Sequence, residues 1–255
     1  MFWSRRLVDD ETADWVEVGF AWLIDTFQPK VFFDETDLIL PTRAFFSSPG
    51  GDSHETAQAV FDDVRRHMGM TEWHCRLERQ EMVHGSQVSD FHQIEPLDPG
   101  PSGTFDLDGN EVVISYDPGL MARPVAFIDM LSHELAHYLL ANHVDTAPGG
   151  AEAHEVMTDL AAIYAGFGVL QLQGGSQISG FQDTFAQCWQ ISHLGYLSSE
   201  VRAYALVVFL RSKGIAPEEA IAHLSDNKAR LLRLGLKQAD IRRDQIGVLA
   251  AKRGG

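Results

Sequence analysis

A chain of 255 residues with 45% apolar and 22% charged side chains is long and apolar enough to bury a substantial core. Its net charge of −16 is unevenly spread: from Arg211 onward ten Lys or Arg face five Asp or Glu, and before it ten face thirty-one. That acidity excludes nucleic acid as an expected partner of the body and leaves the basic tail either solvated or docked on the acidic remainder.

The first ten residues carry Arg5 and Arg6, but Asp9, Asp10 and Glu11 follow where a signal peptide would need an apolar run, so no secretory leader is expected. Residues 16–27 are the longest apolar stretch, yet they contain Glu17 and Asp25 and are too short to span a bilayer, so no membrane partner is expected. Cys75 and Cys188 lie among neighbours such as Trp73 and Trp189, which suits buried thiols in a reducing, cytoplasmic setting better than a disulfide framework.

In chain order, residues 14–27 have the spacing of an amphipathic helix, with Trp15, Val18, Trp22 and either Ile24 or Phe27 on the face that lies over the core, ended by Gln28-Pro29. A turn-rich passage with Pro41, Pro49, Gly50 and Gly51 leads to a second helix, from a Ser53 cap to about Met68, with Glu55 in its first turn. Residues 73–80 read as a strand and 103–116 as a hairpin about Asp108-Gly109, giving a small antiparallel sheet. Asp117-Pro118-Gly119 stops the second hairpin strand, and a helix is expected over 124–141 with Ile128, Leu131, Leu135 and Tyr138 as its core stripe. A loop over 143–150 precedes a helix over 152–168, with Val156, Leu160, Ile163 and Phe167 buried. Residues 173–180 are the most flexible stretch on composition; helices are expected at 181–195, 199–211, from Pro217, and at 227–236. The fold class is therefore α+β: one mostly helical domain over 1–255, with N-terminal helices and a small antiparallel sheet in 1–119, a helix pair in 120–168, and a helical C-terminal region in 169–255.

The chemistry is concentrated in that helix pair. His133-Glu134-Leu135-Ala136-His137 places two imidazoles one turn apart, able to hold one metal ion, with a carboxylate between them that can reach a water on that ion. With 11 histidines in the chain the pattern arises by chance roughly 0.03 times. A catalytic zinc needs a third protein ligand and an open position. Glu155 is the best candidate, because Asp159 follows on the same face and can take the spare ring proton of a ligand histidine; Glu152 and His154 are its rivals.

His-Glu-x-x-His followed in a second helix by Glu and, four positions on, Asp resembles the gluzincin type of zinc metallopeptidase. The resemblance covers residues 120–168 and is closer to compact cytoplasmic bacterial members than to large secreted ones. It implies a zincin-like fold in which His133, His137 and Glu155 bind zinc, Glu134 is the general base, and Asp159 orients an imidazole. The implied activity is hydrolysis of a peptide or protein substrate, with Glu134 passing a proton from the attacking water to the leaving amine. The oxyanion partner stays open among His154, Tyr164, His193, Tyr196 and Arg202. Residues 112–116 either pair with an extended substrate or serve only the sheet. His54, His67, His74, His84, His92, His143 and His223 lack paired spacing and read as structural or surface groups. Two other functions fit the same motif: a non-catalytic zinc-binding scaffold, and a regulatory protease with one dedicated intracellular target.

Overall fold

In the computed structural model the described residues are 6–48, 50–80, 103–108, 111–178 and 196–254. The expected helix at 181–195, the turn residue Gly109, Cys188, His84, His92 and His193 lie outside them. Helix α1 (Asp10–Phe27) starts earlier than expected because the Asp9 carboxylate caps it, accepting from the Thr12 amide at 2.7 Å. It ends at Gln28, a left-handed residue (φ 74°) immediately before Pro29. Its buried row is Ala13, Val16, Phe20, Leu23 and Ile24, while Val18 of the expected stripe is 56% exposed. Apolar residues cover enough of this helix that packing decides which face turns inward; Asp14, Val18 and Asp25 stay exposed on the other, so α1 lies over the core as expected.

Helix α2 (His54–His67) is capped as expected by Ser53, whose hydroxyl accepts from the Thr56 amide at 3.2 Å. Strands β1 (Cys75–Arg79), β2 (Gly103–Asp108) and β3 (Glu111–Tyr116) form a sheet of order β1-β3-β2. The β2–β3 hairpin is antiparallel, as expected, with Asp108 opposite Glu111. The sheet as a whole is mixed, not antiparallel: β1 joins β3 in parallel, from Cys75 opposite Val112 to Arg79 opposite Tyr116. Val112, Val113 and Ile114 are all buried, a continuous apolar run that suits an inner strand, so β3 takes the centre and β1 its remaining edge. Both edges of β3 are thus paired, which corrects the expectation that residues 112–116 could accept a substrate strand; the edge strands are β1 and β2.

Helix α3 (Pro124–Leu140) opens with proline in its first turn, where no amide donor is needed. Short 3₁₀ turns at Val144–Thr146 and Gly150–Ala153 lead to α4 (His154–Ala162). The single helix expected over 152–168 is broken by a π turn, Ile163–Phe167, before α5 (Gly168–Ile178). The break is forced at Gly166 (φ 98°), where a Cβ would lie 2.0 Å from the Asp37 carbonyl oxygen. Helix α5 takes in residues 173–178 of the stretch expected to be most flexible, and at Gly174 a Cβ would press on Asp129 and the Val125 carbonyl at 3.1–3.2 Å.

Helix α6 (Ser199–Lys213) is buried on every side from Val201 to Leu210 and is the central helix of the fold. Around it stand α7 (Pro217–Ile221), α8 (Asp226–Ile241), longer than expected, and α9 (Arg243–Ala251), a further helix within the expected helical C-terminal region. The basic tail docks on acidic α1: Arg242 grips Glu17 at 2.7 and 2.8 Å and also pairs with Asp14, Glu17 accepts from the Tyr204 hydroxyl at 2.6 Å, and Lys252 meets Asp25. Among the described residues no helix is long and apolar enough to cross a membrane.

The architecture is therefore α+β and mostly helical, with α3 as the partition between two cores. Ile128, Leu131 and Leu135 pack into the sheet core with Phe61, Ile114 and Tyr116. Ala136 and Leu140 face the helical core of α1, α4 and α6. The histidine motif lies along this seam.

Candidate metal centre

Helical periodicity puts His133 and His137 on one side of α3, with ring centroids 4.7 Å apart and planes at 87°. Their Nε2 atoms are 3.1 Å apart. The first turn of α4, packed against α3, brings Glu155 Oε2 to 3.4 Å from His133 Nε2 and 3.5 Å from His137 Nε2. The three side chains form a group that could hold a metal ion. Neither rival to Glu155 joins it: Glu152 is exposed in the preceding 3₁₀ turn, and His154 approaches the far nitrogen of His137.

Each imidazole is steadied from behind. His133 Nδ1 lies 3.0 Å from Asp159 Oδ1, and the other oxygen of Asp159 accepts from the Leu197 amide at 2.8 Å and from Arg202 Nη2 at 2.9 Å. Burial opposes the charge on Asp159, but the Arg202 guanidinium, His133 and the Leu197 amide prevail and hold its carboxyl at about 2. Burial likewise opposes a charge on His133, and the hydrogen bonds to Asp159 and Glu155 outweigh it, pushing the ring up to about 10. Glu155 is held well below the usual carboxylate range by its bonds to His133 and His137. With its proton on Nδ1, His137 donates to His154 Nε2 at 3.0 Å, and Thr158 Oγ1 lies 3.3 Å from that Nδ1 of His137. Burial, with His137 beside it, lowers the pKa of His154, which favours the neutral acceptor.

Glu134 is buried, and burial raises its carboxyl above the ordinary range against the pull of His133 and His137. The structure sorts the oxyanion candidates. Tyr164 stacks on Phe32 in the helical core, at 5.1 Å and 14°, and His154 is turned to His137. Arg202 is buried against Asp159. His193 lies outside the described residues; of the other candidates Tyr196 stands nearest the histidines, its ring 5.2 Å from that of His133, and burial, with Glu155 and Glu134 nearby, raises its hydroxyl to about 12.

Sequence reasoning missed Asp129, one turn before His133 on α3. Its buried carboxyl lies 4.0 Å from Arg202 Nη1, and burial raises it to about 7. The available signal was a lone Asp in the otherwise apolar run from Val125 to Leu131, and a lone Arg in the apolar run from Val201 to Leu210. His154, expected as a rival ligand or an oxyanion group, and Arg202, expected as an oxyanion group, instead stand behind His137 and Asp159. Of the unpaired histidines, His54 bonds the Tyr116 hydroxyl at 3.1 Å and His67 the Phe45 carbonyl at 2.8 Å, both structural as expected. Cys75 is buried, also as expected. In comparisons with known proteins, no family model, no curated protein and no solved structure matches the chain.

Proposed function

We propose that this chain is a zinc-dependent peptidase of the gluzincin type with a zincin-like fold, in which His133, His137 and Glu155 hold the metal. The observation that carries the reading is the triangle of ligand atoms, with sides of 3.1, 3.4 and 3.5 Å. A tetrahedral ion with arms of about 2.0–2.1 Å requires edges of about 3.3–3.4 Å, the length typical of zinc with nitrogen and carboxylate ligands. Two histidines and one glutamate are also the donor set of catalytic zinc, leaving one position open. That count favours an enzyme over a scaffold, which would be closed by a fourth protein ligand.

Zinc in this site would supply a Lewis acid that brings the pKa of a water toward about 7 and polarises a carbonyl. Glu134, its proton affinity raised by burial, takes the proton of the attacking water and delivers it to the leaving amine. Tyr196 keeps its hydroxyl proton at neutral pH and can donate it as a hydrogen bond to the oxygen on which charge develops. Asp159 and His154 hold the two imidazoles in their binding tautomers. Strand β2, the edge strand packed against α3, is the edge that an extended peptide or protein substrate would meet. A cytoplasmic setting belongs to the same reading and rests on the buried thiol of Cys75.

The test is metal content followed by turnover. Protein never exposed to chelator carries one zinc per chain, and Glu134→Gln keeps that zinc while losing about 10²- to 10⁴-fold in peptide cleavage. Absence of zinc from the wild type sinks the proposal; undiminished cleavage by Glu134→Gln removes that residue from the mechanism.

A further inference from the structure

Both oxygens of Asp159 are committed, and to different parts of the chain. Oδ1 lies 3.0 Å from the Nδ1 of His133, while Oδ2 takes the backbone amide of Leu197 at 2.8 Å and the Arg202 guanidinium at 2.9 Å. Leu197 directly follows Tyr196, whose ring packs at 5.2 Å on the same imidazole. The segment that carries Tyr196 is thus attached twice to His133: by its ring directly, and by its backbone through one buried carboxylate. Asp159 is itself almost fully enclosed, so a displaced His133 ring cannot pass its bond to water; the carboxylate has to follow or lose the bond.

We propose that Asp159 couples metal occupancy at His133 to the placement of Tyr196, acting as a positioning residue for both. Arg202 is the fixed end of this linkage. It is buried on the central helix, donates its other arm to the Gln171 carbonyl at 3.2 Å, and so anchors Asp159 to α5 and α6. With the ion in place the His133 ring is pinned at Nε2, Asp159 is pinned in turn, and the Leu197 amide is locked. Without it, the Nε2 of His133 has only the side chains of Glu155 and His137, at 3.4 and 3.1 Å, in place of a metal bond, and the 196–198 backbone opens more often. A tyrosine that assists the reaction is thereby assembled when the ion is present to use it. The coupling is reciprocal, so whatever loosens the Leu197 bond also weakens metal binding.

This inference rests on the metal-site reading above, and the experiment separates the two. Hydrogen exchange is followed at the Leu197 amide in the full chain, with zinc chloride and after chelation, alongside zinc affinity measured by competition with a chromophoric chelator. In the wild type, zinc slows exchange of that amide tenfold or more. Asp159→Asn, which puts an amide group where two donors converge, binds zinc about 10- to 100-fold more weakly, and at saturating zinc its Leu197 exchange does not slow. Failure of the wild type to bind zinc ends both the reading and the inference. Zinc binding without any change at Leu197, or the full slowing in Asp159→Asn, ends the inference alone. The wild-type comparison needs no substitution, so it stands even where the variant folds poorly.

Discussion

Gly166→Ala tests the backbone break that sets α5 against the helix pair carrying the candidate metal site. At φ 98° an L side chain occupies a left-handed conformation, at a cost of about 1–2 kcal/mol. The added Cβ would lie 2.0 Å from the Asp37 carbonyl oxygen, and because that neighbour is backbone, one of the two strands of chain must shift by on the order of 1 Å. The shift endangers the hydrogen bond from the Ile39 amide to the Gly166 carbonyl, 3.0 Å long and enclosed by a buried residue, whose loss costs about 1–3 kcal/mol more. The expected destabilisation is about 2–5 kcal/mol, a large share of the 5–15 kcal/mol that holds a typical domain folded. Urea denaturation followed by far-ultraviolet circular dichroism measures it, with Gly247→Ala as control: that glycine is helical with open space around it, so alanine there stabilises by about 0.5–1 kcal/mol. A Gly166→Ala protein within 1 kcal/mol of wild type would refute the assignment of the break to that steric contact.

Two further predictions address the site and its surroundings. Glu155→Ala lowers zinc affinity by more than about 100-fold, the upper end for groups one layer further out, whereas Glu152→Ala leaves it within a few fold; the opposite order, in a chelator competition, would make Glu152 the ligand. Asp129 is held at about 7 against its usual 3.8, so between pH 4 and 7 the folded chain retains a proton that the unfolded chain has released. Stability from this group therefore falls as pH rises through that window, by up to about 4 kcal/mol, and Asp129→Asn flattens the decline. Unfolding midpoints at pH 5 and pH 8 decide the matter, and parallel slopes for both proteins would remove Asp129 as the source.

The parts of this molecule legible in its sequence are those fixed by neighbours a few residues away. The i, i+4 histidines and the Glu155–Asp159 pair follow from helical spacing alone, the Ser53 cap from local turn chemistry, and the pairing of β2 with β3 from their closeness in sequence. What stayed hidden depends on partners far along the chain. The break at Gly166 answers to Asp37, and the helical Gly174 answers to Asp129; both glycines look like ordinary helix weakness or loop until the opposing atoms are known. The parallel seating of β1 depends on which edge of β3 was left open. On α1 the apolar residues cover more than one stripe: Ile24 of the expected face lies in the core, Trp15, Trp22 and Phe27 pack at its margin, and Val18 alone is exposed. Arg202 and Asp129 were visible only as isolated charges in apolar helices, a pattern that announces a buried counterion without saying which.

The three proposed ligands are unequally sheltered: the side chain of Glu155 is 42% exposed, those of His133 and His137 only 9% and 14%. Traffic of metal into and out of the protein must then pass the carboxylate corner, with the imidazole corners walled off by packing. A small chelator that fits past Glu155 should strip the ion far faster than a bulky one of equal affinity, and the half-life of the loaded protein would be governed by that doorway rather than by the strength of the bonds behind it.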